Sequence, residues 1–164
     1  MRDVKLIFKR CCDMLAEIGI DPHREKCTGV TVSKRMTRRF GTCTWNKETK
    51  TYSIKISFRL MDESVPEHSV EDTMIHEILH GITPGGHHGG EWLRLAGIVK
   101  QKLGYNIKRL SSSAESGVDF SIGAKYVLVC TECGHKYPHQ RPTNSWKYPG
   151  LYRCGVCHGG LRRA

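Results

Sequence analysis

The sequence predicts an α+β fold in which helices pack on a small, largely antiparallel sheet, followed by a separate small β module. Three observations carry this expectation. Apolar residues fall at helical intervals within 7–18 and 92–103; they alternate with polar ones across 29–58; and two Cys-x-x-Cys pairs follow a polar, unpatterned stretch.

Ile7, Cys11, Met14, Leu15 and Ile18 mark the inner stripe of a first helix, which Gly19 and Pro22 bring to an end. Over 26–58 the period becomes two. Residues 29–32, residues 40–45, and the series Tyr52, Ile54, Ile56, Phe58 read as three strands, the last two joined by a polar turn over 46–50. Pro66 and Ser69 announce a second helix, with Ser69 as its N-cap and Glu71 and Asp72 in a first turn whose dipole favours acids. That helix is expected to run to about Gly81. Residues 83–86 break the chain, after which Trp92, Leu95, Ala96, Val99 and Leu103 form the apolar stripe of a third helix that stops at Gly104. Residues 111–117 are small and polar and read as a linker. The expected division is a core over 1–110, a linker over 111–121 and a β module over 122–164.

Composition excludes several classes. Of the 164 residues, 38% are hydrophobic, yet no apolar run approaches the roughly 18 residues that cross a bilayer. Charges at Arg2, Asp3 and Lys5 interrupt what would be the apolar part of an export signal. The expectation is a soluble monomer of a reducing compartment: the cytoplasm, with nucleoid association, or the nucleus in a eukaryote. Four of the eight cysteines stand in two Cys-x-x-Cys pairs, which points to metal and away from a disulfide scaffold. The other four, Cys11, Cys12, Cys27 and Cys43, read as buried, inert thiols. A formal charge of +10 suits a surface attracted to nucleic acid phosphates.

His76-Glu77-Ile78-Leu79-His80 is an H-E-x-x-H segment on the second helix. Two histidines one turn apart present their rings to a single zinc, and the intervening glutamate can reach the attacking water. A catalytic zinc takes three protein ligands and keeps one position open, so a third donor is required. His87, His88 and Glu91 are the nearest. The metzincin arrangement is excluded, because it requires histidine six residues after His80, where Gly86 stands. Glu77 would serve as general base toward the water and then as acid toward the leaving amine.

His88-Gly89-Gly90-Glu91-Trp92 resembles the H-G-x-E-aromatic segment that follows H-E-x-x-H in the SprT-like family, which includes the Spartan proteases. The resemblance implies a zincin-like minimal metallopeptidase core with His76, His80 and His88 as the zinc ligands. Glu91 is then expected to cap or buttress the third helix, and Trp92 to lie in the core. Arg39-Phe40-Gly41-Thr42-Cys43 looks like the strand ahead of the family's active-site helix.

Cys130-Thr131-Glu132-Cys133 and Cys154-Gly155-Val156-Cys157 have the spacing of a zinc ribbon, flanked by short strands expected at 126–129 and 152–153. Four thiolates close the coordination sphere, so this second zinc is structural; His135, His139 and His158 are not needed as ligands. Residues 122–164 carry seven Lys or Arg against Glu132 alone, with Trp146, Tyr148 and Tyr152 among them, either filling the ribbon's core or stacking on bases. The SprT-like resemblance extends here, since a similar knuckle pair follows the family's peptidase core. It implies a zinc-dependent endopeptidase acting on DNA-bound or DNA-crosslinked proteins, with a protein or peptide substrate and DNA as partners. The alternative is a non-catalytic, zinc-stabilised nucleic-acid-binding protein with a transcription-related role.

Overall fold

The computed structural model describes residues 2–36, 39–83, 88–107, 118, 121 and 123–164. It divides into two compact units, Met1–Val118 and Asp119–Ala164. The expected linker lies outside the described residues apart from Val118 and Ser121.

Helix α1 spans Val4–Glu17 and is capped by Asp3, whose carboxylate accepts from the Lys5 N–H at 2.8 Å. Its buried stripe is Ile7, Phe8, Cys11, Cys12 and Leu15, with Met14 and Ile18 at the margin. Gly19, at φ 84°, takes the left-handed conformation that ends it.

Strands β1 (Cys27–Ser33), β2 (Gly41–Asn46) and β3 (Thr51–Ser57) form one sheet in the order β1-β3-β2. β2 and β3 are antiparallel, as a hairpin requires, and β1 runs parallel to β3, so the small sheet of the core, expected to be largely antiparallel, has one pairing of each kind. Burial and chain direction together explain why. Tyr52, Ile54 and Ile56 are the most enclosed apolar residues of the three strands, which suits β3 to the centre, and because the chain reverses after β1 and again after β2, the central strand runs the same way as β1. Phe58 does not extend β3, because the chain turns at Ser57 into a 3-10 turn over Phe58–Met61 that buries Leu60 and Met61.

Helix α2 spans Glu67–Ile82. Its N-cap is Pro66, not Ser69. Proline's fixed φ, here −54°, starts the helix one turn earlier, and the Ser69 N–H donates to the Pro66 carbonyl at 3.0 Å. Glu71 consequently lies in the second turn, where it pairs with Arg10 of α1 at 2.7 Å and accepts from the Tyr105 hydroxyl at 2.7 Å. Helix α3 spans Gly90–Leu103 and stops at Gly104, φ 77°, with Trp92, Leu95, Ala96 and Val99 buried.

In the second unit, β4 (Tyr126–Cys130) is the centre of an antiparallel sheet between β5 (Lys136–His139) and β6 (Leu161–Arg163). The strand expected at 152–153 is reduced to a single bridge, Arg153 to Gly160, and a short helix α4 occupies Asn144–Lys147. The fold is therefore α+β, with a four-cysteine β module of zinc-ribbon type. No described helix is long and apolar enough to cross a membrane.

Candidate metal centres and the buried carboxylate

His76 and His80 stand one turn apart on α2, and His88 reaches them from the segment that leads into α3. Their Nε2 atoms form a triangle with edges of 3.2, 3.1 and 3.1 Å. Protons alone cannot satisfy it. Each neutral ring nitrogen is either a donor or an acceptor, so among three mutually facing nitrogens at least one pair must be alike. One cation at the centre of the triad accepts all three lone pairs at once. Zinc at about 2.0–2.1 Å from each nitrogen sets tetrahedral N···N edges near 3.3 Å, so the donor set fits that ion.

Trp92 orders the rings. It is 1% exposed and lies against all three histidines, with ring centroids 5.0, 5.6 and 4.6 Å from His76, His80 and His88. The expected core role of Trp92 and its contact with the site are thus the same fact. Burial holds the His80 imidazole well below its usual range, at about 4, with His88 adding to the effect, so the ring is neutral, as a metal ligand must be. Glu91 forms an ion pair with Arg94 one turn along α3 at 2.7 Å and takes no part in the triad. His87 lies outside the described residues.

Glu77 is 6% exposed, an unusual place for a carboxylate. Burial pushes its carboxyl up to about 7, against the pull of the Cys43 N–H that donates to it and of the Arg39 charge. Its seat is made by β2. As an edge strand, β2 leaves alternate backbone groups unpaired, and Cys43 directs one of them at the carboxylate. Two residues earlier, Gly41 leaves the room: a Cβ there would stand 2.6 Å from Glu77 Oε1 and 2.7 Å from its Cγ. Sequence reasoning placed Gly41 and Cys43 on a strand and missed this role. The available signal was a glycine inside a strand, which often marks close approach by another group.

In the second unit, Cys130, Cys133, Cys154 and Cys157 converge, with Cys130–Cys157 sulfurs 3.4 Å apart and Cys133–Cys154 sulfurs 3.6 Å apart. These separations exceed a disulfide's, and all eight cysteines are free thiols. Nearby donors favour the thiolate at two of the four. The Cys133 N–H holds Cys130 below the ordinary thiol range, and the Tyr137 hydroxyl, 3.1 Å from Cys154 Sγ, leads the effects that bring Cys154 down to about 5. Cys133 and Cys157 lie above that range, Cys157 at about 12, because against the backbone donors at His135 and Gly159 the neighbouring cysteines raise them. Four sulfurs converging in this way fit a closed structural zinc. Nothing in the sequence marked Tyr137 for this contact. Cys11 and Cys12 are fully buried and Cys27 and Cys43 partly so, and burial raises all four thiols, Cys12 to about 11 and Cys43 to about 12, which makes them poor nucleophiles.

Of the ribbon's aromatics, Trp146 is used internally. Its ring meets Tyr126 at 4.7 Å and lies under the Arg163 guanidinium at 4.5 Å. Tyr148 and Tyr152 are exposed.

No curated protein matches the chain. The profile of the SprT-like family matches residues 9–111, which take in the histidine triad, Glu77 and the β2 seat, and the chain belongs to that family of zinc metallopeptidase-type proteins.

Proposed function

We propose that this protein is a zinc-dependent endopeptidase that cleaves proteins bound or crosslinked to DNA. The observation that carries the reading is a carboxylate buried beside a histidine triad and anchored by a backbone N–H, an arrangement that burial alone disfavours. When bound, zinc supplies a Lewis acid for the scissile carbonyl and a water acidified to a pKa of about 7. His76, His80 and His88 would hold it, and Trp92 would fix their orientation. Glu77, one oxygen held by the Cys43 N–H, takes a proton from the attacking water and delivers it to the leaving amine. A carboxyl displaced toward neutrality suits both transfers. In the ribbon, Cys130, Cys133, Cys154 and Cys157 would hold a second zinc as a strut. Support for the nucleic acid partner comes from the +10 charge and from exposed Tyr148 and Tyr152 beside Lys147 and Arg153, which suit unpaired bases.

The test is cleavage of a DNA-binding protein by wild type and Glu77→Gln, with and without single-stranded DNA, after counting zinc in each. Expected are two zinc ions in both proteins, DNA-stimulated cleavage by wild type, and a loss of about 10²–10⁴ in the variant. Two zinc ions with no cleavage under any condition would favour a binding scaffold instead.

A further inference from the structure

Charge is sharply segregated in the first unit. Residues 26–61, which build the sheet, hold nine Lys or Arg and one acid, Glu48, whereas residues 62–77 hold six acids and no Lys or Arg. Six of the nine cations are disposed along the sheet. Lys34, Arg35 and Arg39 flank the end where Ser33 and Ser57 are in register, while Lys47 and Lys50 occupy the hairpin at the opposite end. Lys55 lies between them, pointing away from the core because its neighbours Ile54 and Ile56 are buried inward. All six are exposed, and none forms an ion pair with a described residue.

The outer face between these ends is polar throughout. Its two cross-strand rows are Thr31, Lys55, Thr42 and Gly29, Ser53, Thr44. A face without one apolar side chain lacks the core of a protein–protein interface, and a face without an aromatic cannot stack bases. Short hydroxyl donors with a cation at the middle and at both ends match a repeating anion. The strands extend about 17 Å over this stretch, the axial length of about five base pairs at about 3.4 Å each, so the stripe reaches about two or three successive phosphates of a strand that also winds around the axis.

We infer that the outer face of the β1-β3-β2 sheet is a docking surface for the phosphate backbone of nucleic acid, carried by the catalytic unit itself and separate from the ribbon. The inference rests on the nucleic acid half of the function proposed above. Because it uses backbone contacts alone, it reads no base sequence.

The experiment measures binding of the full, zinc-loaded chain to a fluorescent DNA duplex of scrambled sequence over a range of salt concentrations. It is done in a Glu77→Gln background, so the result stands whether or not the wild type cleaves anything. Arg35→Gln, Lys47→Gln and Lys55→Gln are combined in one variant, and Tyr152→Ala with Arg153→Gln form a ribbon variant run beside it. Expected for the sheet variant is a salt slope shallower by about 2–3, since each lost duplex contact removes about 0.9. An unchanged slope in the sheet variant with a large loss in the ribbon variant would overturn the sheet surface and keep the nucleic acid partner. Absence of DNA binding by every protein would overturn both. Equal loss of poly-glutamate and DNA binding, at equal affinity, would show that the face takes acidic polypeptide and would overturn nucleic acid as its occupant.

Discussion

Among the described residues, the unit Met1–Val118 buries 24 apolar side chains in one cluster, whereas Asp119–Ala164 buries only Leu128, Cys130 and Cys154, two of which are metal-site thiols. The first unit therefore folds by hydrophobic burial and carries its candidate metal site on that frame, two donors from the second helix and one from the segment after it. The second has little besides its metal site to fold around. The same element, zinc, is thus expected to have opposite structural weight in the two units: optional for the core, obligatory for the ribbon.

The largest expected effect breaks this comparison if it fails. Chelation, or Cys154→Ser, should unfold the ribbon in the intact chain, since apparent binding of a structural zinc contributes on the order of 10–16 kcal/mol to a small module at neutral pH. Amide hydrogen exchange reads both units at once. The amides of Leu128 and Val129 should lose their protection while those of Ile54, Ile56, Ile75 and Ile78 keep theirs. Persisting protection on β4 after metal removal would mean that Leu128 and the Tyr126–Trp146 pair suffice as a core.

The second effect sharpens the contrast, because the core's metal site should cost stability when empty. Burial raises the Glu77 carboxyl from 4.5 to about 7, so between those values the folded state binds more protons than the unfolded one, and stability falls as pH rises. Above the window the cost is about 3 kcal/mol. His80 has the opposite sign. Its folded value is lowered from 6.5 to about 4, so its contribution to stability falls as pH drops through that range. In chelated protein, Glu77→Gln should therefore be more stable than wild type by about that 3 kcal/mol at pH 8, the difference shrinking toward pH 4.5. Urea unfolding at a series of pH values measures it. A difference constant with pH would mean that Glu77 titrates normally in the empty site.

What could be read from the sequence follows the same division. Local signals were strong where one residue type has one use: H-E-x-x-H, the two cysteine knuckles, the stripe of α3 and its terminal Gly104 are all where the sequence places them. The errors lie where tertiary packing decides. Ser69 is a good N-cap in isolation, but Pro66 had already fixed the backbone. The β1–β3 pairing depends on β3 lying between the other two strands, a property of three strands together. Tyr137 and Cys43 act through a hydroxyl and a backbone N–H brought close only by the fold, and no spacing along the chain encodes either contact.

Two glycines in the core test the finer point that tight packing positions the Glu77 carboxylate without holding the fold together. A Cβ at Gly81 of α2 would stand 2.6–2.7 Å from the Tyr52 ring, which cannot retreat, because it is 1% exposed and its hydroxyl donates to the Pro22 carbonyl at 2.8 Å. Gly81→Ala should thus lower stability by about 1–3 kcal/mol, the usual cost of overpacking. Gly41 has equally close neighbours, but they belong to the side chain of Glu77, which can swing aside. Gly41→Ala should lower stability less than Gly81→Ala does, as read by urea unfolding, and leave zinc content intact. It should nevertheless reduce cleavage by a large part of the Glu77→Gln effect, because the carboxylate loses the Cys43 N–H when it moves. The NMR resonance of the Cys43 amide reads that displacement without reference to activity. It should lie downfield in wild type, as expected for donation to a carboxylate, and shift upfield in Gly41→Ala. An unmoved amide with full cleavage would show that Glu77 has another place to stand, and that the glycine in β2 serves the strand alone.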